Sequence, residues 1–408
     1  MVRIFPFPAI LPSKDLVSQV VCRVGGGESQ ESLRLTLENN PLSYLHVVKP
    51  GIHFGDSLES RENHYRFARA YFGQMAEQGV LNQDLIPAIY IYRQQFPDGH
   101  VFEGIVACVS VIDYLEGVIK KHEFTLTEKE ARMVEHVTRT GVVGEPVLLS
   151  NPDEGYTEDW IRRHKKDEPV LNFSDDNHIT HSLWSISDQE AIAEIQMAFR
   201  QTESLYIADG HHRIAASSLY LTHLHNEINL PASKMSFMAF IMSESALWIS
   251  PFHRLLKGIG DEEVTRILEE AKSKFGIIAS DSPVTPTEKG MFGAYTRQGW
   301  FQFSFLQDAD YHTPAENLDV SRLEKYIFQN ILHIKDSKSD QRLSFIRGDM
   351  QVKELEVLVD SGTADVAFVL YPNTIEEIKE VADGGQTMPP KSTWIEPKLL
   401  SGMIIQKF

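Results

Sequence analysis

Cysteine is nearly absent from this 408-residue chain: there are two, Cys22 and Cys108. That excludes a disulfide framework and a four-cysteine zinc site. Positive charge is also in deficit. Lys and Arg number 39 against 57 Asp and Glu, for a net charge of −18. Such a field repels the phosphates of nucleic acid, although a local basic pocket can still hold a small anion. No window approaches the ~20 consecutive apolar residues of a membrane span. The opening "MVRIFPFPAILPSKDL" has too short an apolar run and too much proline for a signal peptide. The expectation is a cytoplasmic protein without nucleic-acid or membrane partners. Phosphate-loop fingerprints are missing too. No Gly-x-x-x-x-Gly-Lys-Ser/Thr run and no Gly-x-Gly-x-x-Gly occurs, and "VGGGES" at 24–29 lacks either spacing.

What is present suffices for packed globular structure, with 42% hydrophobic and 24% charged residues. The length predicts at least two domains. We place the boundary near residue 250, giving regions 1–250 and 251–408. β-rich runs at "AIYIYRQQF" and "FEGIVACVSV" flank a "PDGH" turn and predict a hairpin. Helices are expected over "RENHYRFARAYFGQMAEQGVL" and Asp188 to Arg200. Another is expected over "TLTEKEARMVEHVTRTG", with Thr127 as N-cap and Gly141 as stop. "SYLHVVKP" reads as extended. In the second half, "DEEVTRILEEAKSKFG" predicts a helix ending at Gly276, and "AYTRQGWFQFSFL" a hairpin. Strands and helices mix without a regular βαβ period, so the class is α+β (mixed α/β).

The chemistry concentrates in "SLYIADGHHRIAASSLYL", Ser204 to Leu221. A strand feeding a helix through a glycine leaves the first helical N–H groups unpaired, and these with the helix dipole attract anions. Gly210 permits positive φ. Arg213 brings a planar donor fork suited to phosphate, and His211 and His212 add donors near neutral pH. Asp209 is out of place beside a bare phosphate. It makes sense holding a metal, orienting a histidine, or binding a substrate amine or hydroxyl. The competing reading is an ordinary Asp-Gly turn at a solvated helix start.

A second cluster lies at "IKKHEFT", with Lys120, Lys121, His122 and Glu123. A carboxylate held beside a substrate hydroxyl is a candidate general base, and nearby lysines can bind a transferring phosphoryl group. Its alternative is a charged solvated loop. "SPFHRLLKG" contributes His253 and Arg254 as possible phosphate contacts. "MPPKSTWIEPKLLSG" presents Lys391 and Ser392 on a backbone stiffened by Pro389 and Pro390. A structural brace and an anion-binding segment fit that stretch equally. "HSLW", with His181, reads as packing, and "KDSKSDQRLSFIRG" as a surface ion-pair loop.

"ADGHHR", "IKKHEFT", "HTPAENLDVSRL" and "MPPKSTWIEPKLLSG" together resemble a large bacterial family of unknown function. The resemblance spans essentially the whole chain. That family is similar at its core to the ParB/sulfiredoxin-like superfamily, which includes free-serine kinases. The resemblance implies such a core with an additional C-terminal α+β domain. It implies a donor-binding turn at Asp209, Gly210, His211, His212 and Arg213, with a His-Glu pair at His122 and Glu123. Some relatives look like pyrophosphate-dependent L-serine kinases, which implies L-serine as acceptor, pyrophosphate or a nucleotide as donor, and Mg²⁺ as bridging ion at Asp209. The alternatives are a ParB-like nucleotide switch without transfer and a phosphoserine phosphatase. One departure stands out. The family's Pro-Tyr-Asp-Val-like segment is replaced here by "VVCRVGGGESQES".

Overall fold

Ile-Tyr-Ile-Tyr at 89–92 and Ile-Val-Ala-Cys-Val at 105–109 are runs of β-branched and aromatic residues, which suit a pleated sheet buried on both faces. In the computed structural model they form the two strands of an antiparallel hairpin, in register from Tyr90 opposite Val106 to Gln95 opposite Val101. The structure describes all residues except 25–28, 55–57, 125–126, 166–167 and 307–311. The chain is α+β and divides into two compact units. The first comprises 1–120, 125–247 and 397–408; the second comprises 121–124 and 248–396.

Among the described residues, the first unit carries a mixed sheet of nine strands. They are β1 (Ile4–Phe5), β2 (Ile89–Gln95), β3 (Val101–Ser110), β4 (Ile119–Lys120), β5 (Val147–Asn151), β6 (Leu171–Ser174), β7 (Thr180–Ile186), β8 (Leu205–Asp209) and β9 (Ser236–Ser243). Their order is β4-β8-β5-β9-β3-β2-β7-β6, with β1 on β3. β8 runs parallel to β4 and antiparallel to β5, while β9 runs parallel to β5. Alternate residues Ile89, Ile91, Ile105, Ala107, Val109, Leu149, Ile207, Ala239 and Ile241 form one core face. Helices Tyr156–His164, Gln189–Phe199 and His211–Ile228 add Trp160, Ile195, Phe199, Ile214 and Leu221 to that core. Burial of this face stabilises the unit at about 25 cal/mol per Å² of apolar area. The Trp160 Nε1–H donates to the Ala191 carbonyl at 2.9 Å, so the largest buried ring leaves no orphan donor.

The second unit holds a smaller sheet: β10 (Trp248–Leu256), β11 (Phe275–Ser280), β12 (Met291–Thr296), β13 (Gly299–Phe305), β14 (Leu343–Arg347), β15 (Val366–Leu370) and β16 (Thr393–Glu396). The order is β11-β13-β12-β15-β10-β14, with β16 on β10. β12 and β13 form the expected hairpin, with Thr296 opposite Gly299, and Gly299 takes φ 112°.

Two expectations fail locally. "SYLHVVKP" is not extended: Leu45–Val48 is a helical turn, and Pro50 opens a 3₁₀ turn. Val47 is fully buried there, so packing overrides β-branched propensity. The helix expected to stop at Gly276 ends at Ala271, and Gly276 lies inside β11 opposite Ser304. The helix over 127–140 and the Gly141 stop (φ 71°) are present, but the Thr127 side chain lies outside the described residues, as does most of "VGGGES".

Candidate active site

Gly210 separates β8 from the 18-residue helix His211–Ile228 and takes φ 98°, ψ 26°. A Cβ there would lie 2.7 Å from Arg213 Nε, so the missing side chain is what lets Arg213 fold back over the turn. Arg213 Nη2 donates to Asp209 Oδ2 at 2.8 Å. Its Nη1 is ion-paired with Glu145 Oε1. Burial pulls the Arg213 pKa down to about 10. The other Asp209 oxygen lies 3.5 Å from Lys398 Nζ. His211 is buried and His212 half-buried. The turn thus holds two carboxylates against two cations, with the open end of a helix beneath them. Gly210 at the N-cap brings no capping side chain of its own, and a helix N-terminus attracts anions.

Sequence reasoning missed Glu145; it read Lys398 only as near Lys391 and Ser392 in the 388–402 stretch, which also contains Ser401, and did not bring either to this turn. Glu145 sits in the Gly-Glu-Pro lead into β5, the strand beside β8. A register shift between Ile207 and Asp209 locally kinks β8 against β5. Lys398 arrives from the segment 397–408, whose backbone is fixed where Gln94 Nε2 donates to the Lys398 carbonyl at 3.2 Å. Ser401 Oγ donates to Glu145 Oε2 at 2.8 Å. The residue types alone gave no signal, because each partner lies far away along the chain.

The other sequence candidates fall in the second unit. Its 121–124 segment is tied to the Met-Pro-Pro-Lys loop, where Met388 N–H donates to the His122 carbonyl at 2.9 Å. His122 is buried, Glu123 half-buried and Lys121 exposed. Arg254 is 1% exposed. Its Nη1 donates to the Phe252 carbonyl at 2.9 Å and its Nη2 to the Pro390 carbonyl at 3.4 Å, and the guanidinium lies 4.6 Å from the Phe345 ring centroid. Burial brings its pKa to about 10. In this geometry Arg254 braces the proline loop. Ser392 Oγ donates to the Pro389 carbonyl at 2.6 Å, Lys391 takes φ 54°, and its ammonium lies 5.1 Å over the Phe252 ring.

His181, read as packing, is fully buried between strands. Tyr92 Oη lies 2.8 Å from its Nδ1, and Asp175 Oδ2 lies 3.4 Å from its Nε2 and 2.6 Å from Arg23 Nη2. Burial alone would raise the Asp175 carboxyl, but the hydrogen bonds from His181 and Arg23 hold it well below the usual range. Arg23 belongs to the stretch that departs from the family pattern. Asp340 and Arg342 pair at 2.7 Å in the surface loop.

The model of a family described as proteins of unknown function, DUF1015, matches residues 4–321. The chain belongs to that DUF1015 family. A search of curated proteins finds no match. Among solved structures, the DUF1015 chain is similar to a free serine kinase in complex with AMP, with TM-score 0.40 and 15% identity over 72% of this chain and 90% of that one. It is also similar to a conserved hypothetical protein from Pyrococcus furiosus, with TM-score 0.37 and 16% identity over 72% and 94% of the two chains. A third likeness is to C-terminally truncated SbnI from Staphylococcus aureus, with TM-score 0.35 and 13% identity over 71% and 82%.

Among the described residues, no helix is long and apolar enough to cross a membrane, and no group of three or more His, Cys, Asp or Glu side chains is placed to hold a metal ion. Mg²⁺ carried on a phosphate needs only one or two protein carboxylates; at this turn both Asp209 oxygens face cations, Arg213 and Lys398.

Proposed function

We propose that this protein is a small-molecule kinase that phosphorylates the hydroxyl of free L-serine, with pyrophosphate as donor. The observation that carries this reading is the Gly210 turn. It folds Arg213 against Asp209 at the entrance of a long helix. A donor phosphate would meet the helix N–H groups, His211 and His212, with Arg213 and Lys398 at its flank. Phosphoryl transfer asks mainly for alignment and charge neutralisation, and this turn supplies both. The resemblance of "ADGHHR" and "IKKHEFT" to motifs of free-serine kinases supports the acceptor. The missing nucleotide fingerprints agree with a donor that lacks a base.

In the proposed step the serine Oγ forms a bond to the transferring phosphorus, and the bridging P–O bond breaks. The hydroxyl proton passes to a carboxylate base, the role the sequence motif suggests for Glu123, and orthophosphate leaves. Asp209 is the residue that would hold Mg²⁺, exchanging its Lys398 contact for the ion, which would neutralise charge on the donor.

The test offers purified protein, L-serine and Mg²⁺ with pyrophosphate, ADP, ATP or CTP in parallel, and measures phosphoserine. Pyrophosphate is expected to be used best, and Glu123→Gln to lower the rate by roughly 10²- to 10⁴-fold. Full activity in Glu123→Gln removes the base assignment. Nucleotide binding without transfer would favour the switch, and release of phosphate from phosphoserine without donor would favour the phosphatase.

A further inference from the structure

We propose that Glu145 is the positioning residue for Arg213, and that Ser401 in turn orients Glu145. The inference rests on the phosphate-cradle reading and adds a layer beneath it. Arg213 is 12% exposed and Glu145 22% exposed in their side chains, so their pairing is only partly screened by solvent. The guanidinium is gripped from two independent directions. Asp209 is on its own turn and would follow any movement of that turn. Glu145 is fixed by the rest of the unit.

Several contacts show how firmly. Pro146 restricts the backbone next to Glu145 before β5 begins. A Cβ on Gly144 would overlap the Tyr44 ring, and Gly402, at φ 86°, packs against the same ring. Gly402 N–H donates to the Gly144 carbonyl at 2.8 Å. Ser401 is 1% exposed and exchanges both backbone hydrogen bonds with Cys22, at 2.9 and 3.0 Å. A hydroxyl held this way presents its proton to Glu145 Oε2 in one direction. The chain Ser401–Glu145–Arg213 therefore orders a long, rotamer-rich side chain before any ligand arrives. Preordering lowers the entropy lost on binding. It also presents the fork in the planar orientation that phosphate recognition needs.

The experiment is isothermal titration of pyrophosphate and of ADP, each with Mg²⁺, into the full-length protein and its variants. Glu145→Gln is expected to weaken the better ligand about tenfold, although it removes a negative charge near an anion site. Ser401→Ala is expected to weaken it two- to fivefold, with no further loss when added to Glu145→Gln. In an Arg213→Lys background, Glu145→Gln should change affinity less than twofold, because its effect passes through the guanidinium. Unchanged or tighter binding by Glu145→Gln, or additive losses with Arg213→Lys, would overturn the assignment alone. Failure of the wild type to bind either ligand would overturn the cradle reading and this inference with it.

Discussion

Arg213 and Asp209 sit four residues apart across one glycine, and their side chains meet at 2.8 Å over the start of a helix. An arginine committed in this way is a fixed element of the site. Its planar geometry, and not only its charge, is what the turn preserves. Replacing Arg213 with Lys keeps the charge and loses the fork. Phosphoserine formation is expected to fall at least a hundredfold, on the order of losing one preorganised transition-state donor. A loss under threefold would reduce Arg213 to a structural ion pair.

Gly210→Ala tests the turn itself. The backbone there is left-handed, and an added methyl meets Arg213. The variant should lose about 1–2 kcal/mol in urea unfolding and most of its affinity for phosphate ligands. Unaltered ligand affinity would show that the fold-back of Arg213 is dispensable.

A sharper steric test lies in the sheet. A Cβ on Gly104 would lie 2.9 Å from Met242 Cβ and still closer to the Ile241 carbonyl oxygen. Gly104→Ala should therefore destabilise the protein by about 3 kcal/mol or more, beyond the upper end of ordinary overpacking. Equal denaturation midpoints for variant and parent would contradict the close approach of β3 and β9.

The second unit carries two opposed titrations. Burial, with Arg254 nearby, lowers His253 to about 4, and its Nδ1 accepts the Leu370 N–H at 3.2 Å, which requires the neutral ring. Unfolded His253 therefore binds more protons than folded between roughly pH 4 and 6.5, and its contribution to stability is lost as pH falls through that window. Burial raises Asp319 to about 6. Here the folded state binds the extra proton, so its contribution is lost as pH rises from about 4 to 6. Each is worth at most about 3 kcal/mol. Relative to wild type, His253→Asn should gain stability as pH falls from 6.5 to 4, and Asp319→Asn should lose it. Denaturant midpoints across that range check both signs, and parallel curves for all three proteins would refute them.

The turn at 209–213 was legible in the sequence because strand, glycine, histidines and arginine are adjacent, and the physics of a helix entrance is local. The hairpins at 89–110 and 291–305 were legible for the same reason. Glu145, Lys398 and Ser401 were not. Ser401 and Glu145 are separated by 256 positions, and no periodicity links them. The error at "SYLHVVKP" has a different origin. Two adjacent valines favour extension locally, but a fully buried Val47 in a helical turn answers to its neighbours in space. Gly276 misled because glycine marks helix ends and strand interiors alike.

Residues 397–408 belong to the first unit although 248–396 intervene. During synthesis, then, β8 and its helix emerge long before Lys398 and Ser401 exist. Until about 170 further residues have been translated, Asp209 has no ammonium to face and Glu145 has no hydroxyl to steady it. A nascent chain halted at residue 396 would own every motif of the phosphate turn and still lack the fastening that sets its arginine.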